Sequence, residues 1–126
     1  MSGKRSVVGA RALIVWGGWD GHSPEACAGL FERSLREEGF RVVVSDSLDI
    51  LANRRRMRGF DVVVPIWTMG ELGNDQWTGL RDAVLNGTGL AGFHGGMGDA
   101  FRGHTDYQFM TGGQFVAHPG TIIRYR

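Results

Sequence analysis

Four short apolar runs, separated by stretches of helical periodicity and stopped by glycines, predict an α/β fold: a flavodoxin-like parallel sheet with helices on both faces. The runs are continuously apolar rather than alternating, as strands buried on both sides are. Between them lie amphipathic segments that begin at small polar residues and end at glycine. Right-handed crossovers between such strands bring every strand carboxyl end to one edge of the sheet, where open α/β folds bind their ligands.

Residues 1–10, with Lys4 and Arg5 but no periodicity, are expected to form a flexible lead-in to one domain over residues 11–126. Arg11 to Trp16 is the first strand, stopped by Gly17 and Gly18. After the loop Trp19 to His22, Ser23 is placed to cap a helix, Pro24 suits its first position and Glu25 favours the positive end of its dipole. Cys27, Leu30, Phe31 and Ser34 fall on its inner face, Glu32, Arg33, Arg36 and Glu37 face away, and Gly39 ends it. Phe40 to Ser45 is the second strand, followed by a loop or short helix through Leu51. Asn53 to Arg58 is a charge run that no aromatic residue interleaves, so it reads as a solvated connection rather than a nucleic-acid surface. Phe60 to Ile66 is the third strand, running into Trp67-Thr68-Met69-Gly70. Asn74 is placed to cap a helix with Trp77, Leu80, Val84 and Leu85 on one face and Gly87 as its stop. The fourth strand starts at Gly89 and runs into Gly92-Phe93-His94-Gly95-Gly96, and Thr121 to Arg126 reads as a later strand.

Composition narrows the class. A chain of 126 residues suits a single domain with a continuous core, and 42% hydrophobic with 21% charged residues is globular composition. Lys and Arg total 14 against 13 Asp and Glu, a net charge of +1 that gives no long-range attraction to nucleic acid or a membrane surface. One cysteine excludes an internal disulfide framework, and no apolar run has the length of a signal peptide or a membrane span, so a cytoplasmic protein is expected.

The chemistry gathers around His94. An abrupt strand-to-helix turn needs glycine where backbones crowd, and it projects its apex residue over the sheet edge. The loops Trp19 to His22, Trp67 to Met69 and His94 to Gly98 should converge there. His22 and His94 are then the groups for acid–base work or for binding a metal, with Asp20, Asp99 and Asp106 available to orient the rings or complete a metal shell. No His-x-x-x-His or Cys-x-x-Cys spacing supports the metal, so a divalent ion rests on convergence alone. Trp19, Trp67 and Tyr107 offer flat apolar faces suited to a sugar ring, whereas Trp77 sits at core spacing. Cys27, on an apolar helix face, reads as a small hydrophobe, and His104 as an exposed loop residue.

Gly17-Gly18-Trp19-Asp20-Gly21-His22, Pro65 to Gly70, Gly92 to Gly96, and Gly112-Gly113-Gln114-Phe115 with His118-Pro119, taken in this order, resemble the ThuA-like trehalose-utilisation family. That family has the class I glutamine amidotransferase-like fold. The resemblance implies a role in carbohydrate metabolism, with a small-molecule sugar such as trehalose or an oxidised disaccharide as ligand. With the loops converging at one edge, His94 and His22 are the catalytic candidates on their chemistry. Trp19, Asp20, Trp67, Thr68, Met69, Gly95, Gly96, Asp99, Tyr107 and His118 are the substrate-binding candidates. Amidotransferases carry a cysteine nucleophile at the turn where this chain has His94, so glutamine hydrolysis through a thioester is not available at that position. Family members continue well past the matched segment, so the chain is expected to lack the family's C-terminal part and to cover its open surface after Tyr107 by forming a homo-oligomer. Three readings follow: a sugar-directed enzyme, a non-catalytic sugar- or partner-binding module that kept the cleft, and a fragment whose missing half is needed for activity.

Overall fold

A strand apolar at consecutive positions has to be covered on both faces, and β1 (Arg11–Gly18) is such a strand, with Ala12 to Val15 all buried. In the computed structural model, which describes residues 6–118 and 120–126, it lies inside a four-stranded sheet of order β2-β1-β3-β4. Residues 1–5 of the expected lead-in, and Pro119, lie outside the described residues. β2 (Arg41–Ser45) and β3 (Val62–Thr68) flank β1, and β4 (Gly89–Leu90) adds to β3. All three pairings are parallel, so the order is the flavodoxin-like one that the apolar runs predict.

The period of two sends alternate residues to opposite faces. On one face, α1 (Pro24–Glu37) lays Ala28, Phe31 and Leu35 over Ala12, Ile14, Val64 and Ile66. On the other, α2 (Asp49–Ala52), α3 (Arg54–Met57) and α4 (Asn74–Leu85) bring Leu51, Met57, Leu80 and Ala83 against Leu13, Val15 and Val63. α5 (His94–Gly98) sits on the end of β3, and α6 (Thr105–Thr111) closes the second core with Tyr107. Within the charge run, Asn53 Oδ1 accepts from Arg56 N at 3.1 Å, so the arginines form an exposed helical turn anchored by buried Met57.

Local expectations fail where phase or cap geometry decides. Ser23 stands before α1 in the left-handed region (φ 49°) and its hydroxyl caps nothing, because a cap reaches the following N–H groups from extended geometry. α4 is preceded by Gly73, not capped by Asn74; Gln76 Oε1 reaches back to Gly73 N at 2.8 Å. The inner stripe of α1 runs Pro24, Ala28, Phe31 and Leu35, which leaves Leu30 and Ser34 exposed and Cys27 half-buried. Leu85, the last residue of α4, is 77% exposed rather than on the buried face. β4 is only two residues long: Ala91 N still donates to Val63 O at 3.0 Å, and a run of glycine and alanine then offers too little side chain to hold a ladder. Thr121 to Arg126 is exposed and forms no strand. No helix among the described residues is long and apolar enough to cross a membrane.

Candidate functional site

The edge at the carboxyl ends of β1 and β3 is shaped by missing side chains. Gly17 and Gly18 have positive φ (153° and 78°), and a Cβ on Gly17 would stand 2.7 Å from Trp67 Cη2. This close approach lets Trp19 N donate to Thr68 O at 3.1 Å, which swings the Trp19–His22 loop across the end of β3. Phe93 is extended (φ −151°, ψ 152°) and His94 follows at φ 47°, which makes the abrupt turn into α5. Gly95 and Gly96 are both buried. A Cβ on Gly95 would run into the His22 ring, and one on Gly96 would lie 3.3 Å from Ile66 Cα. Glycine at both positions therefore lets α5 rest directly on β3 and on the His22 imidazole.

His22 and His94 meet there. Their ring centroids are 5.0 Å apart at an interplanar angle of 74°, and the Trp19 ring packs edge-on to His22 at 4.8 Å. His22 Nδ1 lies 2.8 Å from Thr68 Oγ1, and that hydroxyl donates to Gly95 O at 3.1 Å. Thr68 is only 2% exposed. Beside these polar groups opens a cavity of about 320 Å³ whose other walls are Pro24, Cys27, Ile66 and Phe93. Cys27 turns its thiol to His22 O at 3.5 Å, a contact that fits a packed side chain.

Other residues expected at the cleft are committed elsewhere. Trp67 covers Gly17 and Gly70 and packs on the core, with its Nε1 buried and unpartnered among the described residues. Tyr107 is 1% exposed: its hydroxyl donates to Met97 O at 3.0 Å, its ring meets Phe101 edge-on at 5.0 Å, and burial pushes its phenol well above the ordinary value. It is a core residue rather than a sugar platform. Asp99 is buried and does not orient a histidine. Arg102 Nη2 binds its Oδ2 at 2.9 Å, and that hydrogen bond holds the carboxyl below its ordinary value against the opposing cost of burial. The charges of Arg102, His22 and His94 add to the lowering. Asp20 is exposed, and its carbonyl accepts from Ser23 N at 2.9 Å; Asp106 is exposed in the first turn of α6. Among the described residues no cluster of three or more His, Cys, Asp and Glu is arranged to hold a metal.

Met69 and His104 border a different cavity, of about 420 Å³, together with Phe101 and Arg102. His104 is not an exposed loop residue: its Nδ1 accepts from Tyr107 N at 3.2 Å as the cap of α6, and its ring packs on Trp77 at 4.7 Å. His118 is exposed and touches the site at one remove, 4.9 Å from the Phe115 ring, which is 6.4 Å from that of His94. Phe115 is pinned there by its N–H to Gly98 O at 2.7 Å. Sequence reasoning missed Phe93 and Phe115 as neighbours of the site, although both stand inside the glycine motifs. It also missed that the non-glycine residues with positive φ, Ser23, Met69, His94 and Phe101, gather at this edge. Such strain persists where the surrounding structure over-determines it, commonly at functional sites.

A parallel sheet of order β2-β1-β3-β4, covered by helices on both faces and turning sharply into α5 at His94, is a flavodoxin-like, amidotransferase-like fold. The chain belongs to the ThuA trehalose-utilisation family, which matches it over residues 11–126. No curated protein matches the sequence. Among solved structures it is similar to a protein from Bacteroides uniformis ATCC 8492 described as ThuA-like, at 16% identity and a TM-score of 0.68. That match covers 90% of this chain and 48% of the other, so the chain spans about half the length of its structural relative.

Proposed function

We propose that the cavity between His22 and His94 binds a small-molecule sugar of the trehalose or oxidised-disaccharide kind, and that the two imidazoles exchange protons with it. The observation that carries this reading is the pair of rings 5.0 Å apart on the wall of a cavity of about 320 Å³ at the strand carboxyl edge. That volume falls at the lower end of the roughly 300–1,000 Å³ of small-molecule sites, which suits one sugar ring rather than a whole disaccharide. Trp19, 50% exposed beside His22, supplies an apolar face at the rim. The family's link to trehalose utilisation supports the substrate class.

Calorimetric titration with trehalose and with an oxidised disaccharide tests binding, and protection of Cys27 from alkylation reports whether the sugar enters this cavity. His94→Ala should lower any turnover by roughly 10²- to 10⁴-fold, the usual contribution of a general acid or base, and leave unfolding cooperative because the side chain is exposed. Unchanged turnover removes His94 from the mechanism. The apolar character of the walls formed by Pro24, Ile66 and Phe93 favours a second reading, a module that binds sugar without turnover. Binding that weakens in His94→Ala with no product formed would select it.

Self-association belongs to the same proposal. Phe109, Val116, Ile122 and Tyr125 are 81%, 84%, 92% and 92% exposed, an apolar concentration after Tyr107 that a second copy of the chain would cover. Sedimentation equilibrium at micromolar concentration should show a dimer or larger species, and a stable monomer would overturn it.

A further inference from the structure

We infer that Thr68 is a positioning residue that holds His22 in its Nδ1–H tautomer, so that His22 acts in the cavity through an unprotonated Nε2 and favours a hydroxyl-bearing ligand. This rests on the reading of the cavity as a sugar site. A threonine hydroxyl has one proton. Gly95 O can only accept, and it lies 3.1 Å from Thr68 Oγ1, so the hydroxyl proton is directed there. Thr68 Oγ1 then faces His22 Nδ1, 2.8 Å away, with a lone pair, and the imidazole nitrogen has to be the donor. The reverse arrangement would aim the threonine proton at Nδ1 and set Oγ1 against a carbonyl lone pair. Thr68 is 2% exposed, so water cannot readily repair that mismatch.

With Nδ1 carrying the proton, the neutral ring keeps its lone pair on Nε2. Such a nitrogen accepts a hydrogen bond and can then take the proton, so the ligand group beside it must be a donor. A sugar hydroxyl qualifies, whereas a ketone or a carboxylate oxygen in the same place would meet lone pair with lone pair. His94, whose side chain has no hydrogen bond among the described residues, is not held in either tautomer and is free to complement whichever state His22 reaches. The two histidines are therefore unequal: His22 is the oriented acceptor and His94 the adaptable partner. The substrate preference that follows is for a reduced polyhydroxy sugar over its oxidised form at the carbon facing His22.

Two-bond ¹H–¹⁵N correlation spectra of the ¹⁵N-labelled chain, at a pH where its imidazoles are neutral, read this directly. The His22 ring should show a pyrrole-type Nδ1 and a pyridine-type Nε2. Thr68→Ser should preserve the pattern, and Thr68→Val should lose it toward a mixture of tautomers. A His22 ring with the proton on Nε2 in the unsubstituted chain overturns the inference whatever the variants do, and so does an unchanged pattern in a folded Thr68→Val. Titration with trehalose should then shift the Nε2 resonance while Nδ1 stays pyrrole-type; an Nε2 unmoved by a sugar that demonstrably binds would overturn the ligand preference. If no sugar binds, the reading of the cavity fails, and the tautomer spectrum still decides the role of Thr68.

Discussion

Two cavities border the carboxyl end of β3, and they differ in the polar groups they bring together. The cavity between Met69 and His104 has about 420 Å³ and contains a histidine and an arginine. His104 Nδ1 caps α6 and its ring lies on Trp77, Arg102 is bound to Asp99, and Glu71 on the same wall is exposed with no side-chain hydrogen bond among the described residues. The cavity at His22 and His94 has about 320 Å³, and there only one ring nitrogen is tied down, by Thr68. Both cavities are bordered by residues in the left-handed region, Met69 and Phe101 around one and His94 at the other. Strain and volume therefore do not separate them. What separates them is that the smaller one brings two imidazoles together, 5.0 Å apart, at the turn from strand to helix.

Glycines offer the sharpest way to break that contrast. Gly95→Ala would push a methyl group into the His22 ring, whose Nδ1 stands 2.9 Å from the new Cβ, and the ring cannot yield without leaving Thr68. The expected cost is about 1–3 kcal/mol of stability, as for other overpacked sites, together with loss of sugar binding. Gly103→Ala, on the wall of the larger cavity, meets nothing within 4 Å and should stay within about 0.5 kcal/mol of the parent. Chemical denaturation of both variants, with sugar titration alongside, checks the pair. Equal effects would mean that the two edges are packed alike.

The Asp99–Arg102 pair sharpens the comparison through pH. The folded-state pKa of Asp99 is lowered, chiefly by the hydrogen bond from Arg102. A lowered carboxylate contributes stability that is present above its unfolded value and lost as pH falls through the folded value. Arg102→Ala should therefore be destabilised at neutral pH, by an amount moderated by the half-exposed position of the arginine, and the gap from the parent should close on acidification below about pH 4. Sugar binding at the His22 cavity should persist. Urea midpoints measured from pH 7 down to pH 3 decide it, and a gap that is constant with pH would assign the loss to packing of the arginine stem.

The elements that were legible in the sequence share a cause: their signal is local. Leu13, Ile14 and Val15 announce a strand buried on both faces, and Gly92 to Gly96 announce a turn that has no room for side chains. What stayed hidden depends on partners distant along the chain. Nothing near Thr68 shows that its hydroxyl will join His22 to Gly95. Nothing near His104 shows that α6 will use it as a cap. Leu30 and Leu85 were placed on inner faces because a helical stripe read without its neighbours can be off by one residue in phase, and an end residue has no next turn to correct it. Thr121 to Arg126 has strand composition, yet a strand needs another strand to pair with, and composition does not supply one.

Tyr107 gives a small expected loss and the cleanest separation of core from cleft. As a platform for a sugar ring it would be exposed, and Tyr107→Phe would weaken binding if its hydroxyl met the ligand. In the fold the ring lies against Phe101 and the hydroxyl reaches Met97 O, near the carboxyl end of α5. Removing the hydroxyl leaves one carbonyl without that donor while the ring keeps its packing, so the loss should be about 1 kcal/mol. In a domain of this size that lowers the melting temperature by roughly 4 °C. Affinity for sugar should not change, because neither Tyr107 nor Met97 lines the His22 cavity and the His22–Thr68–Gly95 chain does not involve them. Scanning calorimetry and sugar titration of the same variant give both values. A stable protein with weakened binding would return Tyr107 to the cleft, and a less stable protein with unchanged binding fixes it in the core.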